Sequence, residues 1–460
     1  MNLIIFIYIL SGIIIVFFSY SRNRNQFFDL LDFSLIWFVV GYSIVPSILL
    51  LFPMESNIAS PIYWKFESLY ITPFVVISAF LVMISGWIIC GNTYITVGSK
   101  YYFLLNKKGE SFLLIVGLLV SLFAFVLYVN SYGGLYSALK NGPLIRLAAG
   151  YRDLFEVGRT NVFSKLLIIS RVVTLYCFIV LVKKTHWGSK GFYLLICIIS
   201  FALSIIDSAI QSSRGMILFF LASFFIAYAI LKKKLKYFQL IVLFFLFMVS
   251  VAFGKSFWIS SSFLFEGKFY EFRESFVSRT ENRFENLRIM IAQTFAREGG
   301  HCIISLEQAI VHGGKRHQFT FFKEYPEAFL ILFPKKLFGI QFEDPERLTA
   351  INSEFLSGEI QVIGAPPGIL AAYYYAGSYF GVYLGVFLFG FISRLISNNF
   401  NVFINRNPGS LSVIIPFSIE WGEFVFRGDP SIFLTRIFPM FIVVLMIIIV
   451  SVKKNHLNLQ

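Results

Sequence analysis

Three arginines, Arg146, Arg152 and Arg159, fall in one short connection, KNGPLIRLAAGYRDLFEVGRTN. Gly142, Pro143, Gly150 and Gly158 lie among them, which reads as a shaped loop rather than a helix end. Guanidinium forks match phosphate oxygens, and several together suit a diphosphate. A further arginine, Arg214, follows Ser212-Ser213 and opens an apolar run at Gly215. A cation at the mouth of such a run needs an anion, either a ligand or the carboxylate of Asp207 in an ion pair that ties two helices together. Glu298, His301 and Glu307 are candidates for a general base that takes a proton from a substrate hydroxyl. Each of these taken singly is also what a solvated loop carries.

The elements that hold these residues must be membrane helices. The chain is 57% hydrophobic and 14% charged, with a mean hydropathy of +0.75, which excludes a soluble domain. A span needs about 20 largely apolar residues. Runs of that kind are predicted over 3–20, 31–52, 70–89, 111–129, 163–182, 192–209, 215–231, 238–257, 368–392, 411–426 and 431–450. The fold class is therefore an all-α polytopic integral membrane protein with about eleven transmembrane helices and one large outer loop. The expected organisation is a bundle of about eight spans over 1–257 with the arginine-bearing outer loop 131–162, a large loop over 258–367, and about three spans over 368–460. The first run has no basic segment before it and no small-residue cleavage site after it, so it is expected to remain in the mature protein.

Charge position sets the orientation. Arg22, Arg24, Lys100, Lys107, Lys108, Lys183, Lys184, Lys190, the KKKLK cluster, Arg394, Arg406, Lys453 and Lys454 fall in alternate connections, which the positive-inside rule makes cytoplasmic. The N-terminus is then outside and the C-terminus inside. The net charge of +14 reflects this topology rather than nucleic-acid binding. Outer arginines in short connections break the rule and call for an anionic partner there. For Arg171 and Arg436, inside spans, the simpler expectation is snorkelling to a lipid phosphate. The four cysteines show neither metal-ligand nor redox spacing, and no metal or cofactor is assigned.

A loop as long as 258–367 should be partly folded. Its first part, ending in AREGG, reads as a helix with Phe284, Leu287, Ile291 and Phe295 on one stripe. A second short helix, HCIISLEQAIVH, is expected to stop at Gly313-Gly314, and EYPEAFLILFPKKLFG reads as an interfacial or re-entrant segment too short to span.

The order of features resembles the Wzy-type O-antigen and oligosaccharide repeat-unit polymerases. The likeness rests on GGLYSALKNGPLIRLAAGYRDLFEVGR, SSRGMIL, LFPKKLFG followed by FEDPERLTAIN, PPGILAAYYYAGSYFGVYLGVFLFG, and FRGDP. Ala371-Ala372 stands where many members carry a glutamate, so no role for that carboxylate carries over. The resemblance implies an architecture like that of the C-type lipid-linked glycosyltransferases in the bacterial inner membrane. It also implies undecaprenyl-diphosphate-linked oligosaccharides as donor and acceptor, together with a chain-length regulator as a possible partner. Diphosphate binding would then fall to Arg146, Arg152, Arg159, Arg214 and Arg427, with Arg288 and Arg297 contributing from the loop. The work would be electrostatic and need no metal. Alternatives from the same residues are an O-antigen ligase and a lipid-linked oligosaccharide flippase or other transporter. No internal repeat or pair of broken short spans favours a transporter, and a scaffold leaves the outer arginines unexplained.

Overall fold

Lipid offers a peptide group no hydrogen-bond partner, so apolar stretches of this length close their bonds within themselves as helices. The computed structural model describes residues 2–22, 29–53, 70–93, 107–147, 162–183, 190–211, 213–232, 253–254, 256–258, 260–285, 287–312, 319–330, 348–357 and 365–457. Among the described residues the chain is all helical, without a strand. Nine helices there are long and apolar enough to cross a membrane, which makes this a multi-pass membrane protein.

In chain order the helices are α1 (Asn2–Ser21), α2 (Leu30–Leu51), α3 (Ile71–Cys90), α4 (Lys107–Asn130), α5 (Leu135–Leu147), α6 (Phe163–Lys183), α7 (Lys190–Ile210), α8 (Arg214–Lys232) and α9 (Phe269–Glu285). They continue as α10 (Leu287–His312), α11 (Glu324–Leu330), α12 (Leu348–Ser357), α13 (Ile369–Arg406), α14 (Leu411–Arg427) and α15 (Pro430–Leu457). The expected span 238–257 lies almost wholly outside the described residues. The expected span 411–426 is the 17-residue α14, which contains Pro416 and carries two glutamates. It falls short of the length and apolarity of a membrane-crossing helix.

Two compact units divide the chain. Unit 1 takes 1–95, 287–402 and 418–437; unit 2 takes 96–286, 403–417 and 438–460. These bounds cut across the segments 1–257, 258–367 and 368–460.

In unit 1 the core gathers Tyr8, Phe38, Tyr42, Leu49, Met83, Ile303, Leu306, Leu370 and Val386. Pro46 has no N–H to give, and α2 runs through a π turn at Val40–Ile44 just before it. Tyr42 of that turn is fully buried, and its hydroxyl accepts from Leu370 N at 3.2 Å, one of the free N–H groups opening α13. The pair Gly299-Gly300, expected to end a helix, does not. α10 runs straight through it, because a Cβ at Gly299 would come within 2.6 Å of Val45 Cγ2. The glycine serves close packing against α2, and the following stretch, Cys302 to Leu306 with Ala309, is buried all round. The segment expected as an outer loop therefore supplies a buried helix to unit 1. That helix ends at His312, just before Gly313-Gly314, as its sequence predicts.

Unit 2 has two apolar clusters. One joins α4, α6 and α7 through Leu114, Val173, Cys177 and Ile196. The other joins α4, α5, α6 and α7 through Ala124, Tyr128, Ala138, Leu167 and Ile210.

Candidate functional site

In unit 2 the arginine-bearing connection begins at a glycine turn. Gly133 and Gly134 take φ of +82° and +117°, and Gly134 N bonds back to Val129 O at 3.1 Å, closing the end of α4. The chain then forms α5, so KNGPLIRL, expected as loop, is helical as far as Leu147. Pro143 lies within it, one residue after Gly142, which is buried against the end of α7. A Cβ at Gly142 would overlap the carbonyl oxygen of Ile210, so the two backbones touch. Arg146 stands one turn beyond Gly142 on the same face of α5. Its side chain lies outside the described residues, as do all of Arg152 and Arg159.

From Ile210 the chain turns directly into α8. Ser213 is buried, and its hydroxyl accepts from Met216 N at 3.4 Å, a side-chain N-cap for the helix that Arg214 opens. The side chain of Arg214 lies outside the described residues, but the carboxylate considered as its partner is already engaged. Asp207, fully buried, accepts from Arg171 Nη2 at 2.5 Å and from Gln211 Nε2 at 2.6 Å. Arg171 therefore meets the carboxylate of Asp207 instead of a lipid phosphate. Below it, hydroxyl pairs Ser170 with Ser204 and Thr174 with Ser200, each at 2.8 Å, continue the bond between α6 and α7. Also on α5, Lys140 reaches Glu266 at 2.7 Å, and Lys268 reaches the same carboxylate at 2.9 Å. These hydrogen bonds lower the Glu266 carboxyl to about 2.

Unit 1 holds a second charged cluster. Glu420, Glu423 and Arg427 recur at i, i+3 and i+7 along one face of α14. Glu423 accepts from Arg427 Nη2 at 2.5 Å and from Arg436 Nη1 at 2.6 Å, while Glu420 accepts from Arg436 at 3.1 Å. Two cations and two carboxylates alternate. Arg436, expected to snorkel, is therefore bound by carboxylates, because α14 presents both of them to α15. Arg427 keeps spare capacity: its side chain is 29% exposed and its Nε has no hydrogen-bond partner.

Beside it sits His301 of α10. The imidazole packs edge to face on Phe426 at 5.0 Å, bonds to the Phe426 carbonyl, and leaves Nε2 buried without a partner. Burial, and then the Arg427 charge, lower its pKa from 6.5 to about 4. His301 is neutral at pH 7, a base next to a guanidinium that can still bind an anion. The structure thus brings His301 and Arg427 together. Glu307 lies about 9 Å further along α10, buried and bonded to the Thr72 hydroxyl of α3. The side chains of Glu298, Arg288 and Arg297 lie outside the described residues, though all three belong to α10.

FRGDP serves as a turn and a cap. Gly428 has φ +66°, Gly368 N bonds to Arg427 O at 3.0 Å, and Asp429 caps α15 through Ser431 N at 2.9 Å while also accepting from Thr349 N at 3.0 Å. Sequence reasoning passed over Glu420 and Glu423. The signal was there, since two carboxylates in an apolar run with Arg427 four residues after the second require partners. Among the described residues no group of three or more His, Cys, Asp or Glu side chains gathers as a metal site. No family model, no curated protein and no solved structure matches the chain.

Proposed function

We propose that the chain is a membrane glycosyltransferase that polymerises oligosaccharide repeat units carried on undecaprenyl diphosphate. The growing glycan leaves its lipid and joins the non-reducing end of an incoming unit, at the periplasmic face of a bacterial inner membrane. The N-terminus would be periplasmic and the C-terminus cytoplasmic. In the reaction the bond between the anomeric carbon and a diphosphate oxygen breaks, and a bond to an acceptor hydroxyl oxygen forms. The acceptor proton goes to a base, and the negative charge collects on the leaving diphosphate.

The observation that carries this reading is the seating of α5 on the end of α7 at Gly142 and Ile210. It gathers the positions of Arg146 and Arg214, from two separate segments, at one end of membrane helices. Arginines so gathered suit a lipid diphosphate whose charge grows during transfer. Arg152 and Arg159, from the same connection, would add to this binding. In unit 1 the pairing of neutral His301 with Arg427 supports the same chemistry, a proton acceptor beside an anion binder. Ligation of a finished glycan to lipid A core would use the same groups. The break in α13 at Gly377-Ser378 favours a second reading, since transporters build sites at discontinuous helices.

The surface glycan of a strain lacking this protein separates these readings. A polymerase deletion leaves lipid A core capped by one repeat unit, and re-expression restores the ladder. A bare core, without any capping unit, would instead identify a ligase or a flippase.

A further inference from the structure

In unit 2 the helix α9 starts at the level where membrane helices end. α5, seated on the end of α7, carries Lys140, which reaches Glu266 in the turn just before α9. Glu266 N and Lys268 N both bond back to Phe263 O, at 3.2 and 2.9 Å, and Gly267 takes φ +74°, so a helical stretch closes there. Phe269 follows three residues after Glu266, within about 10 Å of it along the chain. Tyr136, one turn before Lys140 on the same face of α5, is exposed, as are Phe123 and Val126 near the same end of α4.

One face of α9 is spent on the protein. Phe272 packs edge to face on Phe257 at 6.1 Å, Ser275 and Ser260 share a hydrogen bond at 3.0 Å, and Thr280 is buried. A second face is polar, with Glu271, Glu274 and Ser278 exposed. Between them runs a third. Phe269, Arg273 and Val277 recur every four residues with Tyr270 beside them, and all four are exposed, Phe269 and Tyr270 by 71% and 75%. The residues three and four positions from Arg273 are Phe269, Tyr270, Phe276 and Val277, so no carboxylate of its own helix faces it. Among the described residues Arg273 makes no ion pair.

We propose that α9 lies in the membrane interface, with Phe269, Tyr270 and Val277 set about 5–10 Å into the headgroup and acyl boundary and Arg273 on a phospholipid phosphate. A single guanidinium among exposed apolar side chains fits an anionic headgroup above hydrocarbon. The arginine stem lies along the apolar surface while its head reaches the phosphate. Tyr270 has the apolar ring and polar tip that favour this depth. Glu271 and Glu274, turned the other way, stay in water. Another protein seated here would have to bring a carboxylate to Arg273, whereas lipid is already present where α4 and α7 end. The inference concerns how this segment is anchored and does not rest on the proposed transfer.

Nitroxide labels on the full chain in nanodiscs of phosphatidylglycerol and phosphatidylethanolamine test this. With the four native cysteines replaced by alanine, a label at Val277→Cys should collide several-fold more with dissolved oxygen, which concentrates in lipid, than with a water-borne nickel chelate. A label at Ser278→Cys, on the polar face, should show the reverse. Arg273→Gln should lower the oxygen-to-chelate ratio at position 277, and Arg273→Lys should keep it. The wild type supplies a second measurement: a phospholipid with a diazirine in its acyl chain should label the peptide that contains Phe269 and Tyr270. The proposal is overturned by a label at 277 as open to the chelate as the one at 278, or by one shielded from both reagents, as under a second copy of the chain. A ratio indifferent to Arg273→Gln, or a wild-type peptide left unlabelled, overturns it equally.

Discussion

Acidification should cost the folded protein about 3 kcal/mol through His301 alone. Its imidazole titrates near 4 when folded, against 6.5 ordinarily. The unfolded chain therefore takes up this proton first as pH falls. The sign follows: the contribution is fully present above pH 6.5 and is lost as pH drops toward 4. The difference of about 2.5 units, at about 1.4 kcal/mol per unit, gives the magnitude. Carboxylates also titrate in this window, so the readout is a difference between two proteins. Unfolding midpoints of wild type and His301→Asn would be measured in one detergent at several pH values between 7.5 and 4. The wild type should lose more stability on acidification, by about 3 kcal/mol, and the gap should open below pH 6.5. Arg427→Gln should make the loss smaller while its onset stays near pH 6.5, since removing the guanidinium, the lesser of the two causes, brings the folded imidazole's pKa closer to its ordinary value. Parallel curves for wild type and His301→Asn would refute the buried, neutral imidazole.

Glu423→Gln takes the shared acceptor from Arg427 and Arg436 and should destabilise by about 3–5 kcal/mol, read as a lowered thermal midpoint. Glu420→Gln should cost less, because it serves Arg436 alone and is more exposed. Arg171→Leu by itself strands the buried Asp207 and should cost a similar amount, whereas Arg171→Leu with Asp207→Leu should recover most of it in a double-mutant cycle. Gly142→Val places a side chain on the Ile210 carbonyl and must push α5 away. It should leave abundance near normal and shorten the glycan ladder, since the arginine positions separate while the membrane helices keep their core.

The membrane helices were legible because lipid imposes a crude requirement, length without charge, that hydropathy reads directly. The same measure reads α14 as a span, although its 17 residues and two glutamates leave it outside the helices long and apolar enough to cross. It also passed over α10, whose buried stretch includes Ser305 and Glu307. Gly299-Gly300 shows how a local signal misleads. Glycine ends helices by its freedom and joins them by its size, and only the partner, here Val45, distinguishes the two uses. The arginines were visible as a cluster, but which carboxylate each would meet was not. Arg171 and Asp207 stand on adjacent antiparallel helices, and their register is fixed by the Ser170 and Thr174 hydroxyl bonds rather than by spacing.

The most direct test of the proposed polymerase is reconstitution of the purified chain with lipid-linked repeat units extracted from a strain lacking it. Products would be resolved by length, and released undecaprenyl diphosphate counted. The account predicts glycans of two and more units on lipid, one lipid diphosphate released per bond formed, and loss of both with Arg214→Ala protein of equal folding. Single units that stay single in the presence of folded wild-type protein would contradict it.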